Sequence, residues 1–135
     1  MPFEYKRTVR FADTDAAGVV FFANYLALCH EAYEEALAHT GIELNTFFKA
    51  SGLVIPVTKS EANYLRPLFP GDKLTIICTP RLLTENSFEL SFELWKAGPP
   101  DKLAARLKTE HVCIASETRE RKALDPRIAS WINGG

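Results

Sequence analysis

The first readable pattern is an alternation. Phe3, Tyr5, Val9 and Phe11 fall on one face of an extended segment, with Glu4, Lys6, Thr8 and Arg10 on the other, which predicts a half-buried strand; Arg7 is the one break. The period then changes. Tyr25, Leu28, Cys29, Ala32, Tyr33, Ala36 and Leu37 recur at i, i+3, i+4 and i+7, so residues 25–40 form an amphipathic helix, with Gly41 fitting its C-terminal stop. Beyond it, Val54 to Leu65 is β-rich and ends at Arg66-Pro67. A turn at Pro70-Gly71-Asp72 leads into a strand over Leu74 to Leu82, joined to the previous one by a short connection. Phe88, Leu90, Phe92 and Leu94 alternate with Glu89, Ser91 and Glu93. After Gly98-Pro99-Pro100-Asp101 a long final strand is expected from Leu103 to Ser116, followed by a short helix from Pro126 to Trp131.

This order predicts an α+β fold in which an antiparallel sheet wraps around one long central helix. The 135 residues form one domain, 1–135, large enough for a single core. A net charge of −1 gives no electrostatic case for nucleic acid and directs attention to small molecules and other protein chains as partners. Cys29, Cys78 and Cys113 are odd in number and widely spaced, so buried reduced thiols are expected rather than a disulfide framework or a zinc site. No apolar run is long enough for a signal peptide or a membrane span, and a cytoplasmic protein is expected.

The chemistry concentrates between the first strand and the helix, where Asp13-Thr14-Asp15-Ala16-Ala17-Gly18 delivers an acid into a glycine turn. Asp15 can be a helix cap or dipole partner, but it lies too far ahead of Tyr25 to cap that helix in the usual way. The apolar run Val19 to Ala23 suggests buried surroundings, which suit a catalytic carboxylate. An Asp13/Asp15 metal pair lacks the further oxygen ligands a hard cation needs, so no metal is expected.

Residues Phe11 through Tyr25 resemble the signature of the 4-hydroxybenzoyl-CoA thioesterase family, which has the hotdog fold, and the segment Asn63-Tyr64-Leu65-Arg66-Pro67-Leu68-Phe69-Pro70-Gly71-Asp72 resembles a second stretch of it. The run from Asp13 to Ala23, with Cys29-His30-Glu31-Ala32-Tyr33-Glu34-Glu35, is similar to the cyanobacterial 1,4-dihydroxy-2-naphthoyl-CoA thioesterases of phylloquinone synthesis. The resemblance implies hydrolysis of an aryl-CoA by Asp15, with Gly18 at the substrate and the Phe22 backbone N–H on the oxyanion. It further implies a homodimer with a continuous sheet, commonly paired into a tetramer, and an active site shared between subunits. Coenzyme A is part of the substrate; no cofactor is implied.

Physical chemistry supports these roles. Free N–H groups at a helix start carry about half a positive charge, and one oxyanion donor is typically worth about a hundred- to a thousandfold in rate. An unperturbed aspartate, with a pKa of about 3.9, is a weak base at neutral pH but can attack directly, so nucleophile and general base both stay open. His30 follows Phe22 and Leu26 at intervals of four and can meet the acyl group; in the 4-hydroxybenzoyl-CoA enzymes the matching residue is an Asp that binds the ring hydroxyl. Glu31, Glu34 and Glu35 read as a solvated face. Lys59, Arg66, Lys73, Arg81, Lys96 and Lys102 are cations available to the CoA phosphates, with none singled out. Two other functions fit the sequence: a thioesterase for short or medium acyl groups on CoA or acyl carrier protein, and a hotdog module that binds acyl-CoA without turnover.

Overall fold

The computed structural model describes residues 2–134. Strand β1 (Phe3–Thr8) is followed by a 3-10 turn at Phe11–Asp13 and the long helix α1 (Asn24–His39). A second helix, α2 (Leu44–Ser51), precedes β2 (Leu53–Val54), β3 (Val57–Tyr64), β4 (Lys73–Thr84), β5 (Ser87–Lys96), β6 (Lys102–Val112), β7 (Ile114–Ala115) and α3 (Pro126–Ile132). Five strands form one antiparallel sheet in the order β1-β4-β5-β6-β3, while β2 and β7 make a separate two-stranded pair.

The sheet presents one continuous apolar face to α1. Leu74, Ile76 and Cys78 of β4, Phe88, Leu90, Phe92 and Leu94 of β5, and Leu107 of β6 are buried there. Against them α1 buries Tyr25, Leu28, Cys29, Ala32, Tyr33, Ala36 and Leu37, the same seven positions picked out by the helical period. Each fully buried large side chain of this kind contributes about 1.5–3 kcal/mol through area removed from water, so the matched faces fix the register of helix on sheet. The three thiols are buried and unpaired. Burial pushes the Cys29 and Cys78 thiols up, the latter to about 12, which keeps them protonated and inert.

Several boundaries differ from the sequence reading. β1 stops at Thr8 and Phe11 is 84% exposed, because the Asp13 carboxylate accepts the Arg10 N–H at 2.7 Å and folds the chain into a turn instead of extending the strand. Helix α2 was not anticipated; Phe47 is buried, Leu44 and Phe48 pack on the core, and Gly52, at φ 69°, ends it. Val54 to Leu65 is not one strand. Ile55-Pro56 separates β2, which pairs with β7, from β3, which pairs with β6. The final strand likewise breaks at Cys113. Segment 65–72, although short, joins strands that are not neighbours: β3 is an edge strand and β4 lies three places away. That edge is long and open, with Val57 and Tyr64 about half exposed.

Candidate active site

Residues 13–21 form a small hairpin standing at the mouth of α1. The Phe21 N–H donates to the Asp13 carbonyl, Thr14 bridges Val20, and the Asp15 N–H donates to the Val19 carbonyl, so Asp15 opens the tight turn that Gly18 closes. Gly18 has a φ of 84°, and a Cβ there would meet no atom within 4 Å. Conformation, not crowding, therefore selects glycine, and it leaves open space over the turn. The Asp15 carboxylate accepts the Ala17 N–H at 2.8 Å, which holds it on the turn.

The surroundings correct one expectation. Of the run Val19 to Ala23 only Val20 is buried; Phe21 and Phe22 are 42% and 62% exposed, and Asp15 is exposed with them. In this nine-residue hairpin Val20 alone sinks into the core, Val19 is half-buried, and Phe21 stays at the surface of the single chain.

The helix start leaves backbone donors free. Ala23 is the N-cap and supplies no side-chain cap, while the Asn24 and Tyr25 N–H groups donate to the Phe21 and Phe22 carbonyls. Among the described residues the Phe22 and Ala23 N–H groups have no partner. Asn24 Nδ2 donates to the Asp13 carbonyl at 2.9 Å, and Tyr64 Oη donates to the Phe22 carbonyl at 3.2 Å, so the hairpin, the helix start and the end of β3 are tied together. Phe22, Tyr25 and Tyr64 line an open cleft of about 400 Å³ here.

Beneath the hairpin lies an ion cluster that the sequence signalled only by its broken alternation. Arg7 reaches Asp13 with Nη1 at 2.6 Å and Glu31 with Nε at 2.9 Å, and the Tyr5 hydroxyl donates to Glu31 at 2.9 Å. Burial alone would raise the Asp13 carboxyl, but Arg7 and the Arg10 amide outweigh it and hold it below the usual range. Asp13 is therefore an anchor whose oxygens are occupied, and Glu31 ties α1 to β1 rather than belonging to a solvated face. Among the described residues no three His, Cys, Asp or Glu side chains group as a metal site.

A second cleft, about 160 Å³ and mostly apolar, runs between α1 and the sheet beside β3. Leu26 and His30 reach it from α1, Leu90 and Phe92 from β5, and Thr109 and His111 from β6. His30 sits at its rim, with a largely exposed side chain, Nε2 3.4 Å from Glu34 and its ring 5.7 Å from Tyr33. Asp15 and Phe22 do not line this cleft; they lie toward the helix start from it. Of the six cations considered for CoA, Arg66, Lys96 and Lys102 converge on a cleft of about 330 Å³ beside Gly98-Pro99-Pro100. Lys59, Lys73 and Arg81 are spread elsewhere and engage Glu110, Thr8 and Glu89.

No helix of the described residues is long and apolar enough to cross a membrane. The chain is 43% identical over 129 residues to the 1,4-dihydroxy-2-naphthoyl-CoA hydrolase of Rippkaea orientalis, covering 96% of this chain and 94% of that one. It is 45% identical over 128 residues to the enzyme of that name from Microcystis aeruginosa, covering 95% and 91%. Its fold superposes with a TM-score of 0.93 on the crystal structure of a 1,4-dihydroxy-2-naphthoyl-CoA thioesterase from Synechocystis, at 32% identity and covering 98% and 96% of the two chains. Residues 9–132, which hold the Asp15 hairpin, the helix it feeds and all of the sheet except β1, match the Thioesterase-like superfamily, and the chain belongs to that family of hotdog thioester hydrolases.

Proposed function

We propose that this protein hydrolyses 1,4-dihydroxy-2-naphthoyl-CoA to 1,4-dihydroxy-2-naphthoate and coenzyme A, a step of phylloquinone (vitamin K1) biosynthesis, in the cytoplasm. The observation that carries the reading is the juxtaposition at the head of α1. A carboxylate is held on the glycine turn of the hairpin that runs into α1, two backbone N–H groups at the helix start are unpartnered, and the next turns of the helix line an apolar cleft. The names of the relatives at 43% and 45% identity support the choice of acyl group.

In this reading the Phe22 N–H polarises the thioester carbonyl and stabilises the oxyanion formed from it. Asp15 acts in one of two ways. Its carboxylate attacks the carbonyl carbon, the CoA thiolate leaves, and water then opens the acyl-aspartate anhydride; or it takes a proton from water, whose hydroxide adds to the carbonyl before the thiolate leaves. Gly18 keeps the approach to Asp15 clear, and His30 meets the acyl group at the cleft rim. No cofactor takes part, since coenzyme A arrives with the substrate.

The exposure of Asp15, Phe21 and Phe22 and the open β3 edge support a homodimer, paired into a tetramer, in which a second subunit encloses the site. Sedimentation should give the oligomer; a stable, fully active monomer would overturn this part. For the substrate, steady-state kcat/KM over naphthoyl-, benzoyl- and aliphatic CoA thioesters should favour 1,4-dihydroxy-2-naphthoyl-CoA. An aliphatic substrate preferred by more than about tenfold, roughly 1.4 kcal/mol in barrier, overturns the assignment.

A further inference from the structure

His111 stands in the wall of an apolar cleft with one of its two hydrogen-bonding positions unfilled. The residue is 2% exposed, its Nε2 lies 2.8 Å from Thr109 Oγ1, and its Nδ1 is the one fully buried side-chain nitrogen or oxygen among the described residues with no partner. The sheet order explains the burial. β6 lies between β5 and β3, so His111 is flanked by Phe88 on one side and Val57 on the other. The Phe88 ring stacks on the imidazole at 4.8 Å with 2° between planes, and Tyr33 of α1 closes over it at 5.2 Å. These contacts fix the ring plane, and Thr109 fixes its rotation. A buried polar atom left unpaired carries its desolvation cost, so an occupant of the cleft that satisfies it binds with that cost removed.

We propose that His111 Nδ1, oriented by Thr109, hydrogen-bonds a hydroxyl on the distal part of the acyl group's aromatic ring and so selects hydroxyaryl thioesters over their deoxy counterparts. The inference rests on the aryl-CoA reading above and adds its specificity determinant. The chemistry of the occupant follows from the imidazole. If Nε2 accepts from Thr109, Nδ1 carries a hydrogen and donates; if Nε2 donates, Nδ1 accepts. A hydroxyl, both donor and acceptor, satisfies either tautomer, whereas a hydrogen or methyl satisfies neither. Burial, with His30 nearby as a smaller influence, lowers the His111 pKa to about 4, so the ring is neutral when it meets the hydroxyl. His30, about two helical turns on from Phe22, and His111 line the same cleft.

The kinetic test compares 1,4-dihydroxy-2-naphthoyl-CoA with 1-hydroxy-2-naphthoyl-CoA, which lacks only the distal hydroxyl. The wild-type protein should prefer the former by about tenfold or more in kcat/KM. In His111→Phe, which keeps an aromatic ring against Phe88, the preference should fall near unity through loss on the dihydroxy substrate. A variant that keeps the preference overturns the proposal. Nitrogen-15 NMR of the wild-type imidazoles supplies a second readout independent of that variant and of turnover. Under anaerobic titration with the two free acids, the His111 Nδ1 resonance should move with 1,4-dihydroxy-2-naphthoate and not with 1-hydroxy-2-naphthoate. A resonance unmoved at millimolar acid overturns the proposal and leaves a trapped water as the partner of Nδ1. A response of Nδ1 in a protein that hydrolyses no aryl-CoA would remove the proposed function and leave the His111 site standing.

Discussion

The Asp15 hairpin and the His111 wall of the cleft are organised by opposite means. At the hairpin, order comes from hydrogen bonds at the surface: the Ala17 N–H on the carboxylate, the backbone bridge of Thr14 to Val20, and Arg7 underneath. At the cleft, order comes from packing: Phe88 and Tyr33 clamp a buried imidazole. The difference teaches where each job can be done within one subunit. Within one chain the His111 side chain is buried between rings, whereas Asp15, on a hairpin with little contact to the core, stays exposed. Perturbations of the hairpin should therefore act on turnover, and those of the cleft wall on selectivity and stability.

The largest effect is expected at Asp15. Asp15→Asn should retain fold and ligand binding and lose about two to four orders of magnitude in turnover. In a single turnover in oxygen-18 water with enzyme in excess, acid without label identifies Asp15 as the nucleophile, with water opening the anhydride at the aspartyl carbonyl. A near-normal rate in the variant would remove Asp15 from the reaction.

Arg7→Met strips the partner from Asp13 and Glu31 together. Loosening the base of the hairpin should lower kcat by up to about a hundredfold with a smaller change in KM, since displacements of about 1 Å carry penalties of that size. Thermal unfolding should fall by a few degrees as the two carboxylates lose their charged hydrogen bonds. Loss of stability with kcat intact would confine Arg7 to holding the strand.

At the cleft the expected signature is in stability. The folded pKa of His111 is about 4 against the unperturbed value of about 6.5, so below pH 6.5 the unfolded chain binds the proton that the folded chain refuses. Stability should be full above about pH 6.5 and fall by up to about 3 kcal/mol as the pH approaches 4. Denaturant titrations at several pH values should show that slope, and His111→Phe should flatten it. An unchanged slope in the variant assigns it to other groups.

The smallest effect is expected from Phe22→Ala. The ring is 62% exposed and the proposed donor is the backbone N–H, which the substitution keeps, so kcat should stay within about tenfold. A loss of a hundredfold or more would move the contribution from the amide to the ring.

Much of this architecture was readable because it repeats. Sixteen residues of helical period placed all seven buried positions of α1, and the alternation in β5 identified its core face. Single breaks in a pattern were visible without being interpretable: Arg7 interrupts β1, but its partners come from a turn six residues on and a helix 24 residues on. The Leu44, Phe47 and Phe48 spacing of α2 was present and spanned too few turns to stand out. The Asp15 and Gly18 turn carried a family likeness, whereas the exposure of Val19 to Ala23 depended on how little of the hairpin could reach the core.

By itself the sequence determined the long helix, the alternation of β5 and the glycine turn that carries Asp15, because these follow from periodicity and turn chemistry over short spans. Only the tertiary structure decided that β6 lies between β5 and β3. That order turned an ordinary strand histidine into a buried one, since burial is set by which strands pair across the sheet, and pairing joins residues as far apart as Val57 and His111.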